Sequence, residues 1–197
     1  MITESATTCQ GRYAMDLRIE KTEKAIKNAF MELRSKKPLE KISVRELCAL
    51  ACINKSTFYS HYEDIYQLSD ALETETILSM LRGISLTHED SMKNPDMFTR
   101  ELCLAFMSHI SIINTLFSGK ERSRLADKLE TELKKAIFRL RPEYEADAEK
   151  NILLSYCIQG GYHAYINNQS LTAEVLTETI SNIVKFLRPM WDSKQSN

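Results

Sequence analysis

Residues 42–64 read Ile-Ser-Val-Arg-Glu-Leu-Cys-Ala-Leu-Ala-Cys-Ile-Asn-Lys-Ser-Thr-Phe-Tyr-Ser-His-Tyr-Glu-Asp, two helix-forming segments with room between them only for a tight corner. A capping box opens the first: the Ser43 hydroxyl is placed to accept from the Glu46 N–H while the Glu46 carboxylate reaches back to the N–H of Ser43. Ile42 and Leu47 stand where a hydrophobic staple belongs. Asn54 caps the second segment in the same way, and Ile53 with Phe58 repeats the staple. Leu47, Ala51, Ile53, Phe58 and Tyr62 supply the apolar contacts that lock two helices at a steep angle, as in a helix-turn-helix.

With Phe58 and Tyr62 turned inward, helical spacing puts Ser56, Thr57, Tyr59 and Ser60 on or toward the outer face, with Lys55 in the first turn. Short donors, a phenol and a cation at a helix N-terminus suit phosphate oxygens and base edges in a major groove. A small helical corner whose polar side chains face only water meets the same spacing, so the spacing by itself leaves both readings open.

Ser-Val-Arg-Glu-Leu at 43–47, followed by Ala-Cys-Ile-Asn-Lys-Ser-Thr-Phe-Tyr-Ser-His-Tyr at 51–62, resembles the TetR/AcrR family of bacterial transcriptional regulators, whose recognition helix ends in an aromatic-Tyr-x-His-aromatic run. The likeness covers roughly residues 17–75 and fixes residue type at many positions. It implies an all-α chain: a three-helix helix-turn-helix DNA-binding domain over 17–75 with its motif at about 43–62, and a C-terminal helical effector-binding and dimerisation domain over 76–197; residues 1–16, polar and without a period, read as a flexible N-terminal arm. It implies further that Lys55, Ser56, Thr57 and Tyr59 approach DNA, that His61 meets a phosphate, and that Ser43 and Arg45 touch the backbone, with Phe58 and Tyr62 as core. Family members often carry a Lys near the start of the fourth helix, as a phosphate contact. Ile65 stands there in this chain.

Composition agrees with an all-helical fold. At 197 residues the chain can bury a sizeable core, and 43% hydrophobic with 27% charged residues is ordinary for a folded protein. Only 5 Gly and 4 Pro accompany long helix-forming stretches, which disfavours a sandwich or an alternating α/β chain. The net charge is −1, but it is unevenly spread. Residues 12–64 hold eleven Lys/Arg against eight Asp/Glu, and residues 65–197 hold fifteen against eighteen, a basic head on an acidic body.

The five cysteines, Cys9, Cys48, Cys52, Cys103 and Cys157, form no Cys-x-x-Cys pair, so neither a disulfide scaffold nor a zinc site is expected, and no metal or cofactor is called for. Cys48 and Cys52 lie one turn apart, where small buried thiols are a plainer expectation than a redox switch. No apolar run approaches the ~20 residues that span a bilayer, and residues 1–16 lack a signal-peptide core, so a cytoplasmic protein without a membrane partner is expected.

Along the chain, periodicity predicts an amphipathic helix from Leu17 to about Ser35, stopped before Pro38, and a long helix from Asp64 to about Arg82 that can act as a lever between head and body. Residues 85–93 read as a linker before Asn94 and Pro95 restart a helix running to about Ser118. His109 lies on its apolar side, either as a satisfied core histidine or as a ligand contact; with Phe106 and Tyr156 it is a candidate effector-binding residue. A helix from Arg122 to Arg141 follows, closed by Pro142.

The last two helices, about 152–167 and 172–187, are the expected homodimer surface: Cys157, Gly160, Gly161 and Ala164 form a small-residue stripe, joined by Ile180, Ile183 and Leu187. Two glycines inside a helix cost roughly 1 kcal/mol each, and close approach of a partner helix offsets it; a helix broken at Gly160 is the alternative.

The reading that follows is a dimeric regulator that binds duplex DNA at a palindromic operator, a repressor released by a small-molecule effector. Only the resemblance supplies the effector. The alternative is a TetR-like DNA-binding protein with an architectural or protein-partner role and no small ligand. A helical enzyme is more remote, because no Gly-rich phosphate loop, nucleophile elbow or His-Glu-x-x-His pair is present and His61, His88, His109 and His163 are scattered singly.

Overall fold

The local signals for caps and stops translate directly into helix ends. The computed structural model describes residues 4–84 and 94–192, with side chains from 17 to 84 and from 94 to 191, and among these every regular element is helical. The expected linker over 85–93 lies outside the described residues. The chain divides into two compact units, Met1–Leu72 and Glu73–Asn197.

In the first unit, α1 (Glu4–Arg34) precedes a short 3-10 turn at Leu39–Lys41, then α2 (Val44–Leu50) and α3 (Lys55–Tyr59). α1 is helical well before Leu17, through most of the stretch expected to be an arm. Propagation adds one hydrogen bond per residue fixed once a turn exists, and residues 4–16 hold no proline to stop it. α1 packs on α2, and α2 on α3, around a core of Ile26, Phe30, Leu33, Leu47, Phe58 and Tyr62. Pro38 caps the 3-10 turn, so it sits where the helix has already ended.

α4 (Ile65–Arg82) holds the division between the units at Leu72. Its start is set by Asp64, whose Oδ1 accepts from Gln67 N at 2.7 Å.

The second unit adds α5 (Pro95–Ser108), α6 (Ile110–Leu116), α7 (Arg124–Leu140), α8 (Glu143–Ala146), α9 (Ala148–Asn167), α10 (Ala173–Phe186) and α11 (Arg188–Asp192). The single helix expected from Pro95 to about Ser118 is instead two, broken at His109 (φ −103°, ψ 4°). There the Ala105 carbonyl is taken by side chains, the Ser108 hydroxyl at 2.8 Å and His109 Nδ1 at 2.9 Å, and it is lost to the helical ladder.

α7 follows a 3-10 turn at Gly119–Ser123, so it begins two residues later than expected. It buries Leu125, Leu129, Leu133 and Ile137, one face at a four-residue repeat. α10 packs against α5 and α9, and α9 also packs on α7. α9 runs unbroken through Gly160 and Gly161, capped by Asp147, and α10 is capped by Thr172 accepting from Val175 N at 3.4 Å.

Candidate nucleic-acid interface and cavity

The corner begins at Ser43, whose hydroxyl accepts from Glu46 N at 3.3 Å. The Glu46 carboxylate, expected to reach back to Ser43, holds Lys37 Nζ, tying α2 to the segment that follows α1. Asn54 starts α3 by accepting from Thr57 N at 2.8 Å. The turn between α2 and α3 passes through Cys52 at φ 54°, the left-handed region that glycine adopts without strain. Cys48, buried in α2, points its thiol at the Asn54 carbonyl, 3.8 Å away, and burial raises its pKa against the pull of Lys55. Cys52 is exposed, so of this cysteine pair only Cys48 is a core thiol.

Behind α3, Phe58 is fully buried and its ring lies 5.5 Å from that of Tyr59 and 6.0 Å from that of Tyr62. Glu23 of α1 bonds Lys27 at 2.7 Å. Its carboxyl pKa is lowered first by that hydrogen bond, against burial, and then by the charges of Lys27 and His61 and a hydrogen bond from Tyr62. α1 thus braces the aromatic side of α3 through Tyr62 and draws His61 toward a carboxylate.

In front, Ser43, Arg45, Lys55, Ser56 and Tyr59 are exposed, while Thr57 and His61 are half-buried. Tyr59 keeps 55% of its surface in water. The hydroxyls of Ser56 and Thr57 lie 2.7 and 2.8 Å from Asn54 Oδ1, so with the Thr57 N–H three donors converge on one oxygen that has two lone pairs. One of these protons is therefore held weakly. While bound to Asn54, the two hydroxyls present lone pairs outward, which suits the amino groups of adenine or cytosine in a major groove; a released proton suits a phosphate.

At five residues α3 is shorter than the segment expected, so its macrodipole contributes little and the side chains carry the chemistry. Ile65 is only 5% exposed and belongs to the core, which removes the phosphate contact a lysine there would make.

The second unit holds a partly open cavity of about 80 Å³; of the three residues expected to contact an effector, one lines it. Phe106 lies on its wall, edge-on to Tyr165 with ring centroids 5.2 Å apart and to Tyr162 at 6.2 Å. Trp191, Cys103 and Cys157 complete its polar edge. Burial pushes the Cys103 and Cys157 thiols up to about 11, which keeps them protonated and poorly nucleophilic. Burial likewise raises the pKa of Tyr162, against the charge of Arg122, and of Tyr165.

Of the other two expected effector contacts, His109 sits at the break between α5 and α6, bonded to Ala105 O at 2.9 Å and not on the cavity wall. Tyr156 is 65% exposed and lies on a different concavity. That second concavity, about 170 Å³ between α9 and α10, is lined by Cys157, Gly160, Gly161, Ala164, Ile180, Ile183 and Leu187, the seven residues expected on the dimer face. On the same two helices Ile152, Val175, Ile183 and Phe186 stand exposed, Phe186 at 85%. Among the described residues nothing within 4 Å meets a Cβ built on Gly160, whereas one on Gly161 meets Ile180 Cγ2 at 3.6 Å.

No helix among the described residues is long and apolar enough to cross a membrane. Neither a protein-family model nor a curated protein sequence matches the chain.

Proposed function

We propose that this chain is a dimeric, TetR/AcrR-like transcriptional regulator that binds duplex DNA through α3 and its flanks, a repressor released by a small molecule. The observation that carries the reading is Tyr59, more than half exposed next to a fully buried Phe58: an aromatic ring that touches Phe58 with one edge and otherwise stands in water on the same short helix as exposed Lys55 and Ser56. Two such heads in a dimer match a palindrome whose half-sites lie one helical turn apart, ~34 Å. The groove between α9 and α10 supports self-association, because Tyr156 and Ile183 on its wall stand exposed although both are large and apolar. The cavity supports an effector, and a coupling of ~1 to 3 kcal/mol between cavity and DNA is enough for a several-fold to hundredfold loss of DNA affinity.

The test is selection from a random duplex library at low ionic strength, followed by a salt titration of the enriched sequence. The expected outcome is a palindromic consensus and a log-log slope of about −0.9 per phosphate contacted. A library that never enriches, or an affinity indifferent to salt, rejects the reading.

A further inference from the structure

We infer that the outer face of α1, through Arg18, Lys21 and Lys24, is a second DNA contact that holds phosphates of one strand beside the groove α3 enters. The inference rests on the regulator reading and adds a surface to it.

Between Leu17 and Ala25 no side chain of α1 is buried, and the first core residue of the helix is Ile26. The helix nevertheless runs through this stretch without a break. Arg18, Lys21 and Lys24 all stand exposed, and none is in an ion pair among the described residues. Of the two carboxylates in residues 17–27, Glu23 is taken by Lys27 at 2.7 Å, which leaves exposed Glu20 against three cations. A stretch that buries nothing on its own chain and keeps a surplus of uncompensated positive charge is complementary to a polyanion.

The spacing fits that partner. Successive cations are i,i+3 neighbours, so they cross the water-facing side of α1 as one band. At about 1.5 Å of rise per residue the band spans roughly 9 Å of helix. A duplex offers a phosphate about every 3.4 Å of its axis along each strand, so the band meets two or three of them. The long, flexible stems of Arg and Lys take up the mismatch in direction.

The band also joins the interface already described. Glu23, the neighbour of Lys24, feels the charge of His61 and accepts a hydrogen bond from Tyr62, so α1 at this point lies against the chain just past α3. His61 is itself an expected phosphate contact, and Lys24 continues that surface onto α1. A lipid surface is a poorer match, because membrane-lying helices carry a broad apolar face and this stretch exposes only Leu17 and Ile19.

The probes are the palindromic duplex enriched from the random library and an unrelated duplex of equal length. In the full chain, Arg18→Gln, Lys21→Gln and Lys24→Gln together remove the charge while keeping helix propensity. The log-log salt slope should fall in magnitude by about 0.9 per cation, about 2.7 for the three, so the affinity lost between about 50 and about 200 mM salt shrinks roughly fortyfold. Both duplexes should weaken by the same factor, since phosphate contacts carry no sequence information, and the melting temperature should not move. Lys21→Gln alone should change the slope by about 0.9, which keeps the inference testable if the triple variant does not fold. Lys36→Gln, which removes an exposed cation already bonded to Glu32, should leave the slope as it was.

A triple variant with the unaltered slope, a loss confined to the palindrome, or an equal change in Lys36→Gln each overturns the inference. So does an unaltered slope with lost binding to phosphatidylglycerol vesicles, which assigns the band to a membrane surface. These outcomes leave the regulator reading standing when the unaltered chain binds its palindrome; an unaltered chain that ignores every duplex removes both.

Discussion

Lys150 donates from its ammonium to the carbonyl oxygens of Trp191 at 2.5 Å and Met190 at 2.6 Å, a buried cation at the first turn of α9 closing the end of α11. Those carbonyls belong to the last turn of a short helix, where such oxygens lie beyond the reach of the helical ladder's donors. The lysine therefore fixes Trp191, and with it one wall of the cavity. Lys150→Met keeps the length and apolar stem but removes the donors. It should lower stability by about 2 kcal/mol, measured by urea unfolding, and change Trp191 emission in the folded state. An unaltered spectrum and midpoint would show that the anchor is elsewhere.

Tyr59→Ala removes a ring that is mostly in water and whose own-chain aromatic neighbour is Phe58 at 5.5 Å, edge-on. Stability should change by less than about 0.5 kcal/mol, while affinity for the selected duplex should fall at least about tenfold, as for loss of a stacked or hydrogen-bonded contact. Paired melting and binding curves check this; a large drop in melting temperature would mean the ring is structural.

Gly160 has open space among the described residues where its side chain would be, so their packing gives it no reason to be glycine. Gly160→Ala should stabilise the dilute, dissociated chain by about 1 kcal/mol through helix propensity, yet weaken association by holding the partner helix off. Sedimentation across a range of concentrations, with melting at the dilute end, measures both. Association that tightens, or a chain that never self-associates, would remove α9 and α10 as the dimer face.

Glu130 lies where α7 meets α9. Burial alone would raise its pKa, but hydrogen bonds from Ser155 (2.6 Å), Lys134 (2.9 Å) and Gln159 (2.8 Å), with the Lys134 charge, bring it down to about 2. The folded value lies below the unfolded one of 4.5, so its stabilisation is full above pH ~4.5 and is lost as pH falls toward 2. Glu130→Gln should lower stability at pH 7 by on the order of 1 to 2 kcal/mol after solvent screening, and the difference from the unaltered chain should vanish near pH 2. A gap that persists at pH 2 would assign the loss to packing.

Elements governed by their nearest neighbours in sequence were legible. Ser43, Asn54, Asp64 and Thr172 cap helices because a side-chain oxygen reaches only three residues ahead. The seven residues of the small-residue stripe and its partner helix do line one groove, since a four-residue repeat fixes which face they share. What escaped were features without a period. The apolar repeat continues across His109, so nothing in the spacing marks the break that Ser108 and His109 make by taking the Ala105 carbonyl. The cavity is assembled from residues as distant as Pro95 and Trp191, which only packing brings together. A sequence also lacks any sign that Cys52 turns left-handed, where Gly or Asn would have announced the bend.

Three donors crowd onto Asn54 Oδ1 where two fit well. Under the regulator reading, the corner can thus lend a hydroxyl proton to a phosphate while the Thr57 N–H keeps the cap closed, so docking need not unravel the first turn of α3. The surplus works as a reserve: one hydroxyl can change partner while the short helix keeps its cap.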